Sequence, residues 1–179
     1  MSSTLPASPQ DSTAAALNLL TRGGAHIFLT GRAGTGKTTL LKRFLEGAGK
    51  DAAVIAPTGV AAMNAGGQTI HSFFRLPPRL IEPGDIRRLR NARILKELKT
   101  LVIDEISMVR ADMMAAIDHS LRLHRDSMEP FGGVRMILVG DLAQLPPIVE
   151  GEIAQYLEER FGGPFFFNAP VFREAGFLR

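Results

Sequence analysis

Residues 31–38, GRAGTGKT, constrain this chain more than any other stretch. They fit G-x-x-x-x-G-K-[ST] at every position, follow the apolar run HIFLT (26–30) and open the helical pattern KTTLLKRFLEG (37–47). Gly31, Gly34 and Gly36 let the backbone curl until its N–H groups face a phosphate chain, and the helix N-terminus adds partial positive charge. Lys37 then reaches the terminal phosphates as a point charge, and the Thr38 hydroxyl can ligate Mg²⁺. Gly34, Thr35, Gly36, Lys37, Thr38 and Thr39 are the expected phosphate-binding residues. A flexible turn ahead of a helix is the bland alternative, and the full match between strand and helix argues against it.

The rest of the chain supplies the scaffold such a loop needs. AAVIA (52–56), LVID (101–104) and RMILVG (135–140) are further short runs rich in Val, Ile and Leu, separated by helical patterns. Buried parallel strands joined by crossovers have this form. Helices are predicted over 11–24, with Asp11 or Ser12 as cap, over 111–125 with Met114, Ile117, Leu121 and His124 in one stripe, and over 152–161. Ser/Pro-rich residues 1–10 are expected to be a disordered leader, and 11–179 one α/β domain with helices on both faces of an open, mostly parallel sheet.

At 179 residues the chain suits one domain, and without cysteine it has neither disulfides nor thiolate metal sites. Its apolar runs fall short of the ~18 residues a membrane span needs, and the N-terminus has no secretory or mitochondrial pattern. The expectation is a cytoplasmic monomer, of bacterial origin, with no membrane partner. A net charge of +3 leans mildly toward anionic partners.

A phosphate loop needs a second acid for its metal, and LVIDEISMV (101–109) provides one. Asp104 falls at the carboxyl end of a strand, where it can hold Mg²⁺ through water. Glu105 can orient and deprotonate the attacking water. Helix capping by Asp-Glu is the alternative. In GDLAQLPPI (140–148), Asp141 and Gln144 end a fourth strand, close to Asp104 and Glu105 if those strands are neighbours. Gln144 carries both donor and acceptor, so it can register a γ-phosphate. Pro146 and Pro147 stiffen the chain that follows. A plain strand-end loop is the competing reading.

GRAGTGKT, APTGVAA (56–62), TIHSFF (69–74), LVIDEISMV and GDLAQLPP occur in the order and approximate spacing of superfamily-one DNA helicases. The chain most resembles the Pif-type branch, relatives of RecD, and PFGG (130–133) and PFFFNAPVF (164–172) fit its bacterial members. The resemblance spans roughly residues 12–179 and implies a RecA-like P-loop NTPase domain that hydrolyses ATP and moves 5′-to-3′ on single-stranded DNA. It implies Lys37, Thr38 and Asp104 for Mg-ATP, Glu105 as general base, and Gln144 as the γ-phosphate contact coupling ATP state to DNA.

For DNA itself, Thr58, Gly59 and the amides of a helix starting near Val60 can grip a phosphate through neutral hydrogen bonds. In the resembled pattern this segment lies under the DNA backbone together with His71 and Ser72. The alternative is a helix cap at Thr58 with Phe73 and Phe74 in the core. Residues 75–99 hold eight basic and three acidic residues. They either neutralise phosphates or form a solvated face over inward Ile86, Leu89, Ile94, Leu95 and Leu98. The Phe-rich 164–172 is expected to be strand core, with base stacking as the alternative.

Two features depart from the pattern. The upstream Gln that reads adenine falls near Gln10, with Ser12 or Thr13 as alternatives in the register. The chain also stops at EAGFLR, where such helicases continue into a second motor domain carrying an arginine finger. The expectation is one half of a motor whose partner domain lies in the full-length protein. The rival classes are an AAA-like remodelling ATPase and a nucleotide-dependent DNA-binding module without useful turnover.

Overall fold

The computed structural model describes residues 9–32 and 34–178, and at 9–12 and 178 the backbone alone. In chain order the elements are α1 (Pro9–Thr21), β1 (His26–Thr30), α2 (Lys37–Ala48), β2 (Ala52–Ala56), α3 (Gly59–Ala65), β3 (Gln68–Thr69) and α4 (Ile70–Phe74). There follow α5 (Arg93–Glu97), β4 (Thr100–Ile103), α6 (Ala111–Arg125), β5 (Arg135–Gly140), α7 (Gly151–Phe161) and β6 (Phe177–Leu178). The strands form one sheet in the order β3-β2-β4-β5-β1-β6, and each described pairing is parallel. The two-residue edge strands β3 and β6 escape sequence reading because two residues carry no period.

Alternation along the central strands divides the core into two layers. Leu101 and Ile103 of β4, with Met136 and Leu138 of β5, face α4, α5 and α6. Val102, Ile137 and Val139 face the opposite way, onto Leu40, Leu41 and Phe44 of α2 and Leu20 of α1. Both faces are covered, which is why these strands read as continuous apolar runs. The α6 stripe is buried as expected, and His124 is a satisfied core residue: its Nε2 accepts the Leu89 N–H at 2.9 Å and its Nδ1 lies 2.7 Å from the Ser120 carbonyl.

Arg135 anchors α1 at its C-terminal end, donating to the carbonyls of Leu19 (3.0 Å), Leu20 (2.6 Å) and Ala25 (3.0 Å). Carbonyls at a helix end have lost their intrahelical partners, so the guanidinium fork satisfies them and holds the helix to the sheet. Of the expected leader at 1–10, residues 1–8 lie outside what is described, whereas Pro9 and Gln10 already belong to α1; the side chains of the expected caps Asp11 and Ser12 also lie outside the described residues.

The Phe-rich segment corrects one expectation. It forms two 3-10 turns, Phe166–Asn168 and Pro170–Arg173, instead of a strand. Asn168 accepts the Phe165 N–H at 3.2 Å, and Pro170 has no N–H for a ladder, so the chain turns. Phe166 is buried, while Phe165 and Phe167 are exposed and stack on one another at 5.1 Å. Along the basic stretch, Leu95 and Leu98 are buried and Ile86 and Leu89 pack partly against the core. Ile94 instead points outward, 53% exposed. Among the described residues, no helix is long and apolar enough to cross a membrane.

Candidate functional site

The order β4-β5-β1 brings three chain segments to one place. The phosphate loop leaves the carboxyl end of β1, Asp104 leaves that of β4, and Asp141 leaves that of β5, which lies between them. This edge is where parallel α/β sheets put ligands. A cleft of about 410 Å³ opens there, walled by Gly34, Gly36, Lys37, Thr38 and Thr39, by Asp104 and Glu105, and by Gly140, Asp141 and Gln144. Thr35 belongs to an adjoining pocket of about 880 Å³ that runs under α1, past Ala14, Leu17 and Arg43. Of the three residues offered for adenine reading, Thr13 lines that pocket, and the Gln10 and Ser12 side chains lie outside the described residues.

Gly34 and Gly36 take φ of +78° and +84°, a region closed to most other residues, which curls the loop before α2. The Lys37 ammonium donates to the carbonyls of Gly31 and Arg32. These contacts hold the cation at the mouth of its own loop, from which an anion can draw it.

The two acids are tuned by burial. Desolvation pushes the pKa of Asp104 up, opposed by the Glu105 N–H that its carboxylate accepts at 2.9 Å and by the charge of Lys37. Glu105 is also raised, first by burial and then by the Asp104 charge, again opposed by Lys37. Glu105 sits at φ 51°, ψ 45°. A left-handed backbone costs a non-glycine residue roughly 1–2 kcal/mol. It turns the chain from β4 into the 3-10 turn Ile106–Met108 and sets both carboxylates on the cleft.

An acid whose pKa is higher folded than unfolded loses stability when ionised, and regains it as pH falls through the folded value. Asp104→Asn keeps an acceptor for the Glu105 N–H and removes the buried charge. It should raise the melting temperature at neutral pH without nucleotide by ~2–4 °C, the effect of about 1 kcal/mol in a domain this size. The gain should shrink in acid. Thermal melts showing an unchanged or lower transition would mean that Asp104 carries no destabilising charge.

Gly140 explains why β5 ends in Gly-Asp. A Cβ there would lie 2.9 Å from Ile106 Cγ2 and 3.1 Å from the Ile106 nitrogen, so the strand end passes directly against the turn after Glu105. Asp141 then accepts the Ala143 N–H at 3.0 Å and lies 3.4 Å from the Gln144 amide nitrogen. It positions Gln144, and its charge adds to the upward push on Glu105. Sequence reasoning placed Asp141 beside Asp104 and Glu105 without giving it a role, and the cleft brings them together; Gly140 it did not single out as a site residue.

The second group of expected residues lies beside the cleft and does not line it. The Ala56↔Thr69 pairing of β2 with β3 brings the segments after both strands to the same edge of the sheet. Thr58 caps α3, its hydroxyl oxygen accepting the Ala61 N–H at 3.2 Å, and Phe73 and Phe74 are core, as the alternative reading held. The cap uses only the oxygen, so the hydroxyl proton can still be donated. Gly59 and Ser72 are exposed, Val60 is 73% exposed and His71 half-buried. Burial and then the nearby Arg110 charge push the His71 pKa down, against the pull of Asp112, which favours the neutral ring.

Among the described residues no group of three or more His, Asp or Glu could hold a metal by itself. The oxygen donors of Thr38 and Asp104 suit a hard cation that completes its shell with phosphate and water.

Comparison with known proteins gives a consistent answer. The family model for PIF1-like helicases matches residues 10–159. The chain is 41% identical to the ATP-dependent DNA helicase Pif1 of Bdellovibrio bacteriovorus over 143 residues, 75% of this chain and 32% of that protein. It is 40% identical to the ATP-dependent DNA helicase PIF1 of Homo sapiens over 133 residues, 72% of this chain and 21% of that protein. A crystal structure of Pif1 helicase from Bacteroides in complex with ADP-AlF3 and single-stranded DNA superimposes with a TM-score of 0.85 at 44% identity, covering 98% of this chain and 41% of that one. The chain thus spans a third or less of the length of these curated relatives.

Proposed function

Because the chain belongs to the PIF1-like helicase family, we propose that it is the nucleotide-binding motor domain of an ATP-dependent 5′-to-3′ DNA helicase. The observation that carries this reading is the convergence of Lys37, Thr38, Asp104, Glu105 and Gln144 on one cleft at the carboxyl edge of the sheet. Lys37, with the loop residues Gly34, Thr35, Gly36, Thr38 and Thr39, binds the phosphates of ATP. Thr38 and Asp104 would hold Mg²⁺, which when bound neutralises charge on the terminal phosphate oxygens. Glu105 takes a proton from water, and Gln144, held by Asp141, touches the γ-phosphate.

Single-stranded DNA is the proposed partner, lying across Thr58, Gly59, Val60, His71 and Ser72. A neutral His71 and a hydroxyl would contact its phosphates as hydrogen-bond donors, which position a strand without reading its sequence. Pro146 and Pro147 connect Gln144 to the chain beyond, so a shift at the γ-phosphate is transmitted.

We place this domain, over residues 11–179, as the first of two. Leu142, Leu145 and Ile148, at 46%, 70% and 80% exposed, put a row of large apolar side chains along the loop that follows β5. Such an exposed row suits coverage by another domain. The whole protein is read as a cytoplasmic monomer. Alone, residues 11–179 should bind Mg-nucleotide and single-stranded DNA but separate no strands, since stepping needs two domains that close and open on the track. The test is strand separation of a 5′-tailed duplex by this chain beside a version that includes a second motor domain. Unwinding by the short chain alone would sink the two-domain reading.

A further inference from the structure

The basic stretch before β4 builds a concavity far from the nucleotide cleft. A groove of about 480 Å³ is lined by Arg88, Arg90, Asn91, Arg93, Lys96 and one carboxylate, Glu97, with the His124 side chain also against it. It lies at the C-terminal end of α6, whereas the cleft lies at the end where α6 begins. Fifteen residues of helix at 1.5 Å each separate the two by ~20 Å. Four cations face this groove, and two carboxylates reach them: Asp126 pairs with Arg88, and Glu97 with Arg93. Arg90 and Lys96 make no ion pair among the described residues; Lys96 exerts only a longer-range pull on Asp126.

The apolar partners of this segment are already spent on the core. Leu95 and Leu98 are buried, and Arg125 ties the carbonyls of Leu95, Lys96 and Leu98 to α6. Packing therefore accounts for the fold of the segment but not for the excess of cations on its outer side. A face that merely keeps a protein soluble disperses its charges and mixes their signs. Here four cations are gathered in a concavity lined by a single carboxylate, where low-dielectric walls strengthen the field, and the excess positive charge attracts an anion.

We propose that this groove is a second nucleic-acid contact, gripping the phosphodiester backbone through Arg90 and Lys96 with Arg88 and Arg93 beside them. The inference rests on the reading that the protein engages DNA, and it extends the footprint to the opposite end of the sheet. A planar guanidinium and a flexible ammonium with no competing carboxylate bond are suited to phosphate oxygens. The ligand class is a backbone, not a base sequence, because the lining has no exposed aromatic ring on which a base could stack.

The test is fluorescence anisotropy of a labelled oligo(dT) titrated with the chain, its Arg90→Gln/Lys96→Gln variant and a Lys42→Gln/Arg173→Gln control of equal charge. Both groove side chains are exposed, so the fold is not at risk. Losing two phosphate contacts should weaken binding roughly 25-fold at about 0.1 M salt and flatten the log–log salt slope by about 1.4. Mg-ADP affinity by calorimetry should be unchanged. Equal losses in the control would overturn the groove in favour of general charge. Parent binding that the groove variant leaves intact would overturn the groove alone, whereas a parent that binds no oligo(dT) overturns the DNA reading with it. Saturable binding of a poly-glutamate peptide that needs Arg90 and Lys96, with no such dependence for oligo(dT), would overturn it in favour of an acidic protein.

Discussion

Lys37→Ala should weaken Mg-ATP binding about 10²- to 10⁴-fold. The Lys37 ammonium is held by two main-chain carbonyls of its own loop, neutral acceptors that two phosphate oxygens can replace. Each charge-assisted hydrogen bond is worth roughly 1.5–3 kcal/mol, so losing two of them spans that range. The loop amides and the α2 N-terminus remain, which is why a residual affinity for the nucleotide survives. Lys37→Arg should fall in between, because a planar fork cannot take the place of a compact ammonium. Calorimetry with Mg-ATP is the measurement, with a thermal melt to show that the variant is folded. Equal affinity in parent and Lys37→Ala would remove the phosphate-binding assignment.

The second large effect concerns chemistry and not binding. Glu105→Gln should keep Mg-ATP affinity within a few-fold and lower turnover by about 10²- to 10⁴-fold, the usual worth of a positioned base. Gln preserves the shape of the side chain and leaves the left-handed turn at Glu105 in place, so the cleft keeps its form. It cannot accept a proton. A pH profile separates this from a structural defect. Burial and the Asp104 charge raise the Glu105 pKa, and a base works only when ionised. Turnover should therefore fall in acid along a limb lying above the ~4.3 of a free glutamate. In Glu105→Gln the residual rate should lack that limb. Turnover surviving intact, or the same limb in the variant, would mean that another group activates the water.

Much of this site was legible because its parts are local. The phosphate loop needs glycines at positive φ, a lysine and a hydroxyl within eight consecutive positions, and nothing distant alters that requirement. The central strands could be read because burial on both faces removes polar residues from them, and the α6 stripe because a helix repeats every 3.6 residues. Thr58 shows where such reading divides: a hydroxyl ahead of a helix can cap it or contact a phosphate, and the sequence is the same for both. The structure supplies the cap.

What only the tertiary structure decided was which strand ends are neighbours. Asp104 and Asp141 lie far apart in the chain, and it is the insertion of β5 between β4 and β1 that puts Asp141, Gln144 and Lys37 around one cleft. Strand order depends on which crossover packs against which face, a balance of long-range contacts that no window of sequence contains. Gly140 is the same lesson at one residue, since its missing side chain is required only because Ile106, from another strand's turn, comes within 3 Å of where a Cβ would be. The Phe-rich segment failed as a strand for a similar reason. Apolar content marked it for burial, but Asn168 and Pro170 bend the backbone, so one ring is buried and its two neighbours stand outside. Sequence carries the local chemistry of each segment, and the packing of distant segments determines which of those chemistries meet.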